Sequence, residues 1–312
     1  MDFGLLNLFV DICNLGSFSK AAARHMVSQS AVSQRVAQLE HRLGHSLFDR
    51  KARPLTLTPA GRIVYHSARQ LLAIHEQMQA HLEDLQPMLS GPVRLGCIFS
   101  LALGPLRQML RQFLRDAAAV ELHVTHGETY ELAQDVLNGL IDLALVAYGE
   151  KSEGIQIEDV GKEPMILVAP PGWKDIPAAP VPGSWMNQRP LVSFPHHSPT
   201  RKGIDQTFAK IGVSPQVVLE VANPVILVEA VAAGRGCAMM PFSSAISALE
   251  LGEILYVPCP DLEFERPICL MLHRRRPRTR AVRALADFLT QQMPTLQNTW
   301  KNSLERVACV RH

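Results

Sequence analysis

No two cysteines in this chain are spaced as C-x-x-C, and no cysteine–histidine cluster has the spacing of a zinc site. The six cysteines are scattered at 13, 97, 237, 259, 269 and 309. That pattern reads as reduced, mostly buried thiols, not as a disulfide framework or a metal centre. Long apolar runs are missing too: none approaches the ~18 residues that span a membrane. The apolar stretch 5–10 has Asp2 before it and Asp11 after it, which excludes a secretory signal with a basic leader. A soluble, cytoplasmic protein with no membrane partner is expected. Charge of one sign is scarce as well. Lys plus Arg number 31 and Asp plus Glu 29, a net charge of +2. Any nucleic-acid binding must therefore be sought in where the charge sits, not in its total. G-x-S-x-G, H-E-x-x-H, the P-loop and G-x-G-x-x-G are all absent. Ser17-Phe18-Ser19-Lys20 has S-x-x-K spacing but no companion motif. No enzyme is indicated, and no catalytic residue or cofactor.

What is present can fill a packed core. Hydrophobic residues make up 47% of 312, enough for roughly two domains and too many for a disordered chain. Residues 1–58 are helical in pattern. Residues 59–88 read as one long helix, stopped by Pro87 and the Ser90-Gly91-Pro92 break. Beyond, apolar strands at 93–99, 120–125, 141–147, 165–169 and 268–273 alternate with helical stretches, including one from Ser100 to about Arg115 and one over 281–293. That alternation argues for α/β architecture with largely parallel sheets.

The sharpest local signal runs from Ser28 to Leu43. Val32, Val36, Leu39 and Leu43 line one face of a helix that Ser28 caps. Ser30, Gln34, Ala37 and His41 fall opposite, with Ser33 on the flank. A small, polar first turn is what a helix entering a major groove requires. A shorter helix precedes it over 18–26, with Ala21, Ala22 and Ala23 permitting close packing, so the pair forms a helix-turn-helix. Residues 47–58 place two short apolar arms around a basic tip, a β-hairpin wing. Residues 1–60 hold seven basic and four acidic residues, +3 against +2 for the whole chain. Local positive charge suits phosphate binding.

Ser17-Phe18-Ser19-Lys20-Ala21-Ala22, Val27-Ser28-Gln29-Ser30-Ala31-Val32-Ser33-Gln34, Leu39-Glu40, Leu43-Gly44, Leu47-Phe48-Asp49-Arg50 and Leu57-Thr58-Pro59-Ala60-Gly61 occur in this order over about 45 residues. Together they resemble the winged helix-turn-helix of LysR-type transcriptional regulators. The resemblance implies that Ser28, Gln29, Ser30, Ser33 and Gln34 meet DNA, and that Arg50, Lys51 and Arg53 of the wing reach phosphates or the minor groove. Two positions depart from the family pattern. Ser30 stands where proline is frequent. His25 stands where leucine is usual, and reads as a partly buried, neutral histidine.

Val64, Ala68, Leu71, His75, Met78, Leu82 and Leu85 follow spacings of 4, 3, 4, 3, 4 and 3 on the long helix, a heptad seam. The seam predicts dimerisation through Val64, Leu71, Met78, Leu82 and Leu85, with His75 at a tolerated edge position. Linker-helix pairing is what the resemblance implies as well, and two reading heads suit a dyad-symmetric double-stranded DNA operator.

Val93–Ser100, Leu140–Val146 and Gly234–Pro241 resemble, in order, the LysR-type effector region, which looks like a two-lobed periplasmic binding protein of type II. The expected fold is thus a mainly α winged helix-turn-helix domain (1–58), a linker and dimerisation helix (59–88), an α/β two-lobed effector domain (92–292) and a C-terminal extension (293–312). Lobe 1 is expected at about 92–167 plus 268–292 and lobe 2 at about 168–267, with crossovers near Val168 and Pro267. A ligand between lobes meets strand ends and helix N-termini, which favour anions. Ser100, with Phe99, opens one helix, and Ser198-Pro199-Thr200-Arg201 opens another. The resemblance adds Tyr148, His197, Asn223 and Phe242. The aromatic members suit an organic acid. His196-His197 and the pair His123 and His126 form no convincing metal site, and the arginine run 274–283 reads as a solvated turn. The expected function is a dimeric or tetrameric transcriptional regulator whose DNA binding responds to a small molecule, with an organic or inorganic anion as the expected class. The alternative is a cytosolic small-molecule-binding protein that binds no operator.

Overall fold

A computed structural model of the chain describes residues 2–49, 55–83, 88–102, 104–149, 152–173, 176 and 180–309. It divides into two units, one of residues 1–87 with 137–140 and one of residues 88–136 with 141–312. The first opens with α1 (Phe3–Leu15), α2 (Phe18–Arg24) and α3 (Gln29–Leu43), each started by a side-chain cap. Asp2 accepts from Gly4 N at 2.9 Å, Ser17 from Lys20 N at 3.3 Å and Ser28 from Ala31 N at 3.2 Å. Strands β1 (Phe48–Asp49) and β2 (Thr56–Leu57) pair antiparallel at the base of the wing. Its basic tip, Arg50, Lys51 and Arg53, lies outside the described residues. Helix α4 (Pro59–Glu83) starts where Thr58 Oγ1 accepts from Gly61 N at 2.9 Å and donates to Ser46 O at 2.7 Å. A Cβ at Gly61 would stand 2.0 Å from Leu47 O, so this close approach requires glycine. Leu6, Phe9, Ile12, Ala21, Val32, Val36, Leu39, Leu47 and Ala68 form the core.

In the second unit β3 (Ser90–Cys97), α5 (Phe99–Ala102), α6 (Pro105–Asp116), β4 (Ala119–His126), α7 (Thr129–Asn138) and β5 (Leu143–Ala147) follow one another, with β4 and β5 flanking β3 in parallel. β5 is buried at every position, which explains its unbroken apolar run. The single helix expected from Ser100 to Arg115 is two helices, α5 and α6, with Gly104 as the N-cap of α6. Then come β6 (Ile155–Ala169), β7 (Pro190–Ser193), α8 (Pro199–Lys210), β8 (Gln216–Glu220), α9 (Pro224–Ala232), β9 (Ala238–Pro241), α10 (Phe242–Glu250), β10 (Leu255–Tyr256), β11 (Phe264–His273) and α11 (Arg280–Cys309).

Strands β6 and β11 are the longest of this unit. They pair antiparallel from Ile155↔His273 to Met165↔Phe264. From Met165 onward β6 also pairs with β9, and at Val168 and Ala169 with β10. β6 thus takes up new partners at Met165, three residues before Val168, while β11 joins β5 from Ile268. β6 begins ten residues earlier than the apolar run 165–169 indicates. Gly161 and Pro164 hide it, because both argue against a strand in a single sequence; here Pro164 lies opposite Glu265 in the ladder. Helix α11 continues past Met293 through Pro294. The backbone hydrogen bond lost there is offset by burial of Met293 and Trp300 in the core.

Candidate functional site

The first unit presents the polar face of α3. Ser28, Gln29, Ser30 and Gln34 are exposed and Ser33 is half-buried, while Val32, Val36 and Leu39 fill the core beneath. Two local bonds order this face. Ser28 Oγ and Ser30 Oγ lie 2.9 Å apart, and Ser19 Oγ donates to Gln29 Oε1 at 2.9 Å. Arg35 and Arg42 stand exposed on the same helix and extend the positive surface. His25 is not simply packed against apolar neighbours. Its Nε2 is 2.6 Å from Oδ2 of the buried Asp11, and Arg24 lies 3.3 Å from the other oxygen. The sequence signal was Asp11 itself, the one charged residue of α1.

Helix α4 divides the expected seam into covered and exposed positions. Val64 and Ala68 pack on the head's own core, and His75 stacks on Phe3 with ring centroids 4.3 Å apart. Val64 and His75 are therefore covered positions, used by the head itself. Leu71, Met78 and Leu82 remain exposed, joined by Ile63 and Ile74, which heptad counting passed over. Leu85 lies outside the described residues.

The second unit holds a narrow cleft of about 40 Å³, room for a few waters, lined by Phe99, Ser100, Thr129, Ser198, Thr200 and Arg266 among others. Glu128 is its carboxylate-bearing wall. A neighbouring cavity of about 410 Å³ shares Glu128, Thr129 and Pro199 and adds Tyr130, His197, Lys202 and Met271. Helix α8 aims its N-terminus at the cleft. Ser198 and Thr200 are 8% and 7% exposed, and neither hydroxyl makes a hydrogen bond among the described residues. Ser100 Oγ accepts from Arg266 Nη2 at 2.8 Å. Phe99 meets His126 edge to face, centroids 5.5 Å apart.

Of the nine residues expected around a ligand, Phe99, Ser100, Ser198 and Thr200 line the cleft and His197 the larger cavity. Four stand elsewhere. Arg201 turns its guanidinium to Asp205, Phe194 O and Glu220 at 2.7, 2.9 and 3.1 Å. Asn223 caps α9, accepting from Val225 N. Phe242 is core. Tyr148 sits in a left-handed conformation with its hydroxyl against Gly203 of α8. Burial pushes that phenol's pKa up, with the Arg266 charge opposing. The residue that sequence reasoning missed is Arg266. Its signal was a lone arginine, flanked by Pro267, leading into the apolar run 268–272.

None of Cys13, Cys97, Cys237, Cys259 and Cys269 forms a disulfide. Burial pushes Cys97 up to about 12 and Cys269 up to about 11, so both stay thiols at neutral pH. Among the described residues no helix is long and apolar enough to cross a membrane.

Comparison with known proteins bears on both units. Residues 3–62 match the family described as bacterial regulatory helix-turn-helix protein, lysR family, and residues 87–294 match the LysR substrate binding domain. The chain is 31% identical over 250 residues to the nitrogen assimilation regulatory protein nac of Escherichia coli, covering 79% of this chain and 80% of that protein. It is 27% identical over 288 residues to a probable RuBisCO transcriptional regulator of Trichormus variabilis, covering 90% and 85%. A crystal structure of full-length CbnR complexed with its target DNA shares the fold with a TM-score of 0.72 at 19% identity, over 93% of this chain and 99% of that one. With both segments matched in order, the chain belongs to the LysR family of helix-turn-helix transcriptional regulators.

Proposed function

We propose that this regulator reads a dyad-symmetric operator through α3 and responds to a small anion held in the cleft of its second unit. Ser28, Gln29, Ser30, Ser33 and Gln34 supply the groove-facing surface, and Arg50, Lys51 and Arg53 contact phosphates. The exposed stripe Leu71, Ile74, Met78 and Leu82 pairs with the same stripe of a second copy, giving a dimer or a tetramer built from dimers. The DNA-binding domain is 1–58, the linker 59–88 and the effector domain 92–292. Its lobes are about 92–167 plus 268–292 and about 168–267; the change of partners of β6 from Met165 and the pairing of β11 with β5 from Ile268 support crossovers near Val168 and Pro267. The protein acts in the cytoplasm and carries no catalysis of its own.

One observation carries the effector assignment: Ser198 and Thr200, at the N-terminus of a twelve-residue helix, line the cleft with hydroxyls that have no hydrogen-bond partner among the described residues. The first backbone N–H groups of a helix have no intrahelical acceptor and carry partial positive charge. An anion satisfies both sets of donors at once. The larger cavity alongside accommodates the rest of an organic acid. Thermal unfolding of the whole chain against a panel of organic and inorganic anions tests this. A selective, saturable rise in melting temperature is expected, and Thr200→Val is expected to weaken it about tenfold by removing one donor. A hit whose affinity Thr200→Val leaves intact would place the ligand elsewhere.

A further inference from the structure

We infer that Arg266 receives the anionic group of the effector and that Glu163 is its built-in competitor. This rests on the cleft being the effector site. Arg266 and Glu163 are direct cross-strand partners on β11 and β6, the two longest strands of the unit. Both are removed from water, Arg266 at 1% exposure and Glu163 at 0%. Nε and Nη2 of Arg266 donate to Glu163 Oε2 at 2.9 and 2.6 Å, and Nη2 also donates to Ser100 Oγ at 2.8 Å. Glu163 Oε1 accepts from Ser243 N at 3.0 Å, near the start of α10. One ion pair thus ties both strands to α5 on one side and α10 on the other.

The two partners face differently. Arg266 lines the cleft, whereas Glu163 lies behind it and does not. Nη1 of Arg266 makes no hydrogen bond among the described residues. It is an unpartnered donor on a buried cation, in a cleft whose other unpartnered donors are the hydroxyls of Ser198 and Thr200. Arg266 supplies the positive charge of the cleft lining, and Glu163 neutralises it while the cleft is empty. A buried guanidinium needs such a counter-ion. An anion reaching Nη1 brings a second negative charge to the same guanidinium at low dielectric, so it binds against the hold of Glu163. As the anion takes over the guanidinium, the grip of Glu163 on it weakens. The same carboxylate caps Ser243 N, so the event is felt at α10. Anion occupancy and the set of the two strands are then one equilibrium.

The test uses the full-length protein with inorganic sulfate as probe, at ionic strength matched with chloride, reading melting temperature against sulfate concentration. Glu163→Gln keeps an acceptor for Ser243 N but leaves Arg266 uncompensated. It is expected to lower the half-saturating sulfate concentration at least about tenfold. The doubly neutral variant Glu163→Gln/Arg266→Gln is expected to lose the saturable effect, and it decides the matter alone if the single variant does not fold. Equal or weaker sulfate binding by Glu163→Gln, or retained binding by the double variant, overturns the inference. Thr200→Val separates the two readings. If it weakens sulfate binding while Glu163→Gln leaves it unchanged, the cleft is the site and the competition is wrong. If Thr200→Val has no effect, or the wild type binds no sulfate, the cleft assignment fails and the inference falls with it.

Discussion

Ser198 and Thr200 are residues only 8% and 7% exposed, and the little they expose lies in the cleft, where their hydroxyls have no hydrogen-bond partner among the described residues. Hydroxyls placed so are satisfied by water or by a ligand entering the cleft, which makes them candidates for contacts that a ligand completes. At the surface of α3 the logic is the opposite: Gln29 is exposed and Ser33 half-buried, and neither belongs to the core formed by Val32, Val36 and Leu39. Gln29→Ala and Ser33→Ala are therefore expected to leave folding intact and to lower the ratio of operator to random-DNA affinity by about tenfold, from about 1–3 kcal/mol per base contact. Competition binding with both DNAs checks this, and unchanged ratios in both variants would remove these residues from the readout. His273 shows a third situation. Its Nδ1 accepts from Arg275 N and Arg276 N at 3.2 and 2.9 Å, which needs the neutral ring. Burial pushes its pKa below the ordinary value, and the charges of Arg276 and Arg275 push it further. The unfolded chain thus binds the proton more readily than the folded one. The stability gained is fully present above pH ~6.5 and is lost as the pH falls through the lowered folded-state value. Urea unfolding between pH 7.5 and 5 should show a steeper loss for the wild type than for His273→Asn, which keeps an acceptor that does not titrate. Parallel profiles would assign the pH dependence to other groups.

Helix α4 shows how one element serves two partners. Val64, Ala68 and His75 are used by the head, while Ile63, Leu71, Ile74, Met78 and Leu82 stay exposed. An apolar stripe along a 25-residue helix is what a helix–helix interface requires. Ile74→Glu/Met78→Glu is expected to convert the oligomer to monomer in sedimentation velocity while leaving far-ultraviolet circular dichroism unchanged. Persistence of the wild-type sedimentation coefficient would move the interface off this stripe. The wing is the complementary case. Its two-residue strands are too short to stand alone. They are held because Glu40 of α3 accepts from Leu47 N at 2.7 Å and Gly61 lets α4 lie against Leu47 O.

For the molecule as a whole, a ligand that binds only the folded state adds about 2.7 kcal/mol at a concentration 100 times its Kd. The melting temperature of the effector unit should then rise by several degrees. A selective anion that leaves the transition unmoved at saturation would mean that it does not bind this fold. Much of this organisation is legible without coordinates. The helix-turn-helix shows because caps, periodicity and small residues act within a few residues of one another: Ser28 caps α3 whatever surrounds it, and Val32, Val36 and Leu39 share a face by helical geometry alone. The alternation of apolar strands with helices likewise discloses an α/β unit, and Ser198-Pro199-Thr200 discloses the start of α8. Tertiary structure decided everything that depends on partners far apart in sequence. It divided the α4 seam, because only the packing of the head determines which positions are covered. It extended β6 through Gly161 and Pro164 and carried α11 through Pro294, because pairing and burial outweigh local preference. It turned Arg201 away from the cleft and set Arg266 against Glu163, 103 positions earlier, since a charge leaves water only where the fold supplies its counter-charge.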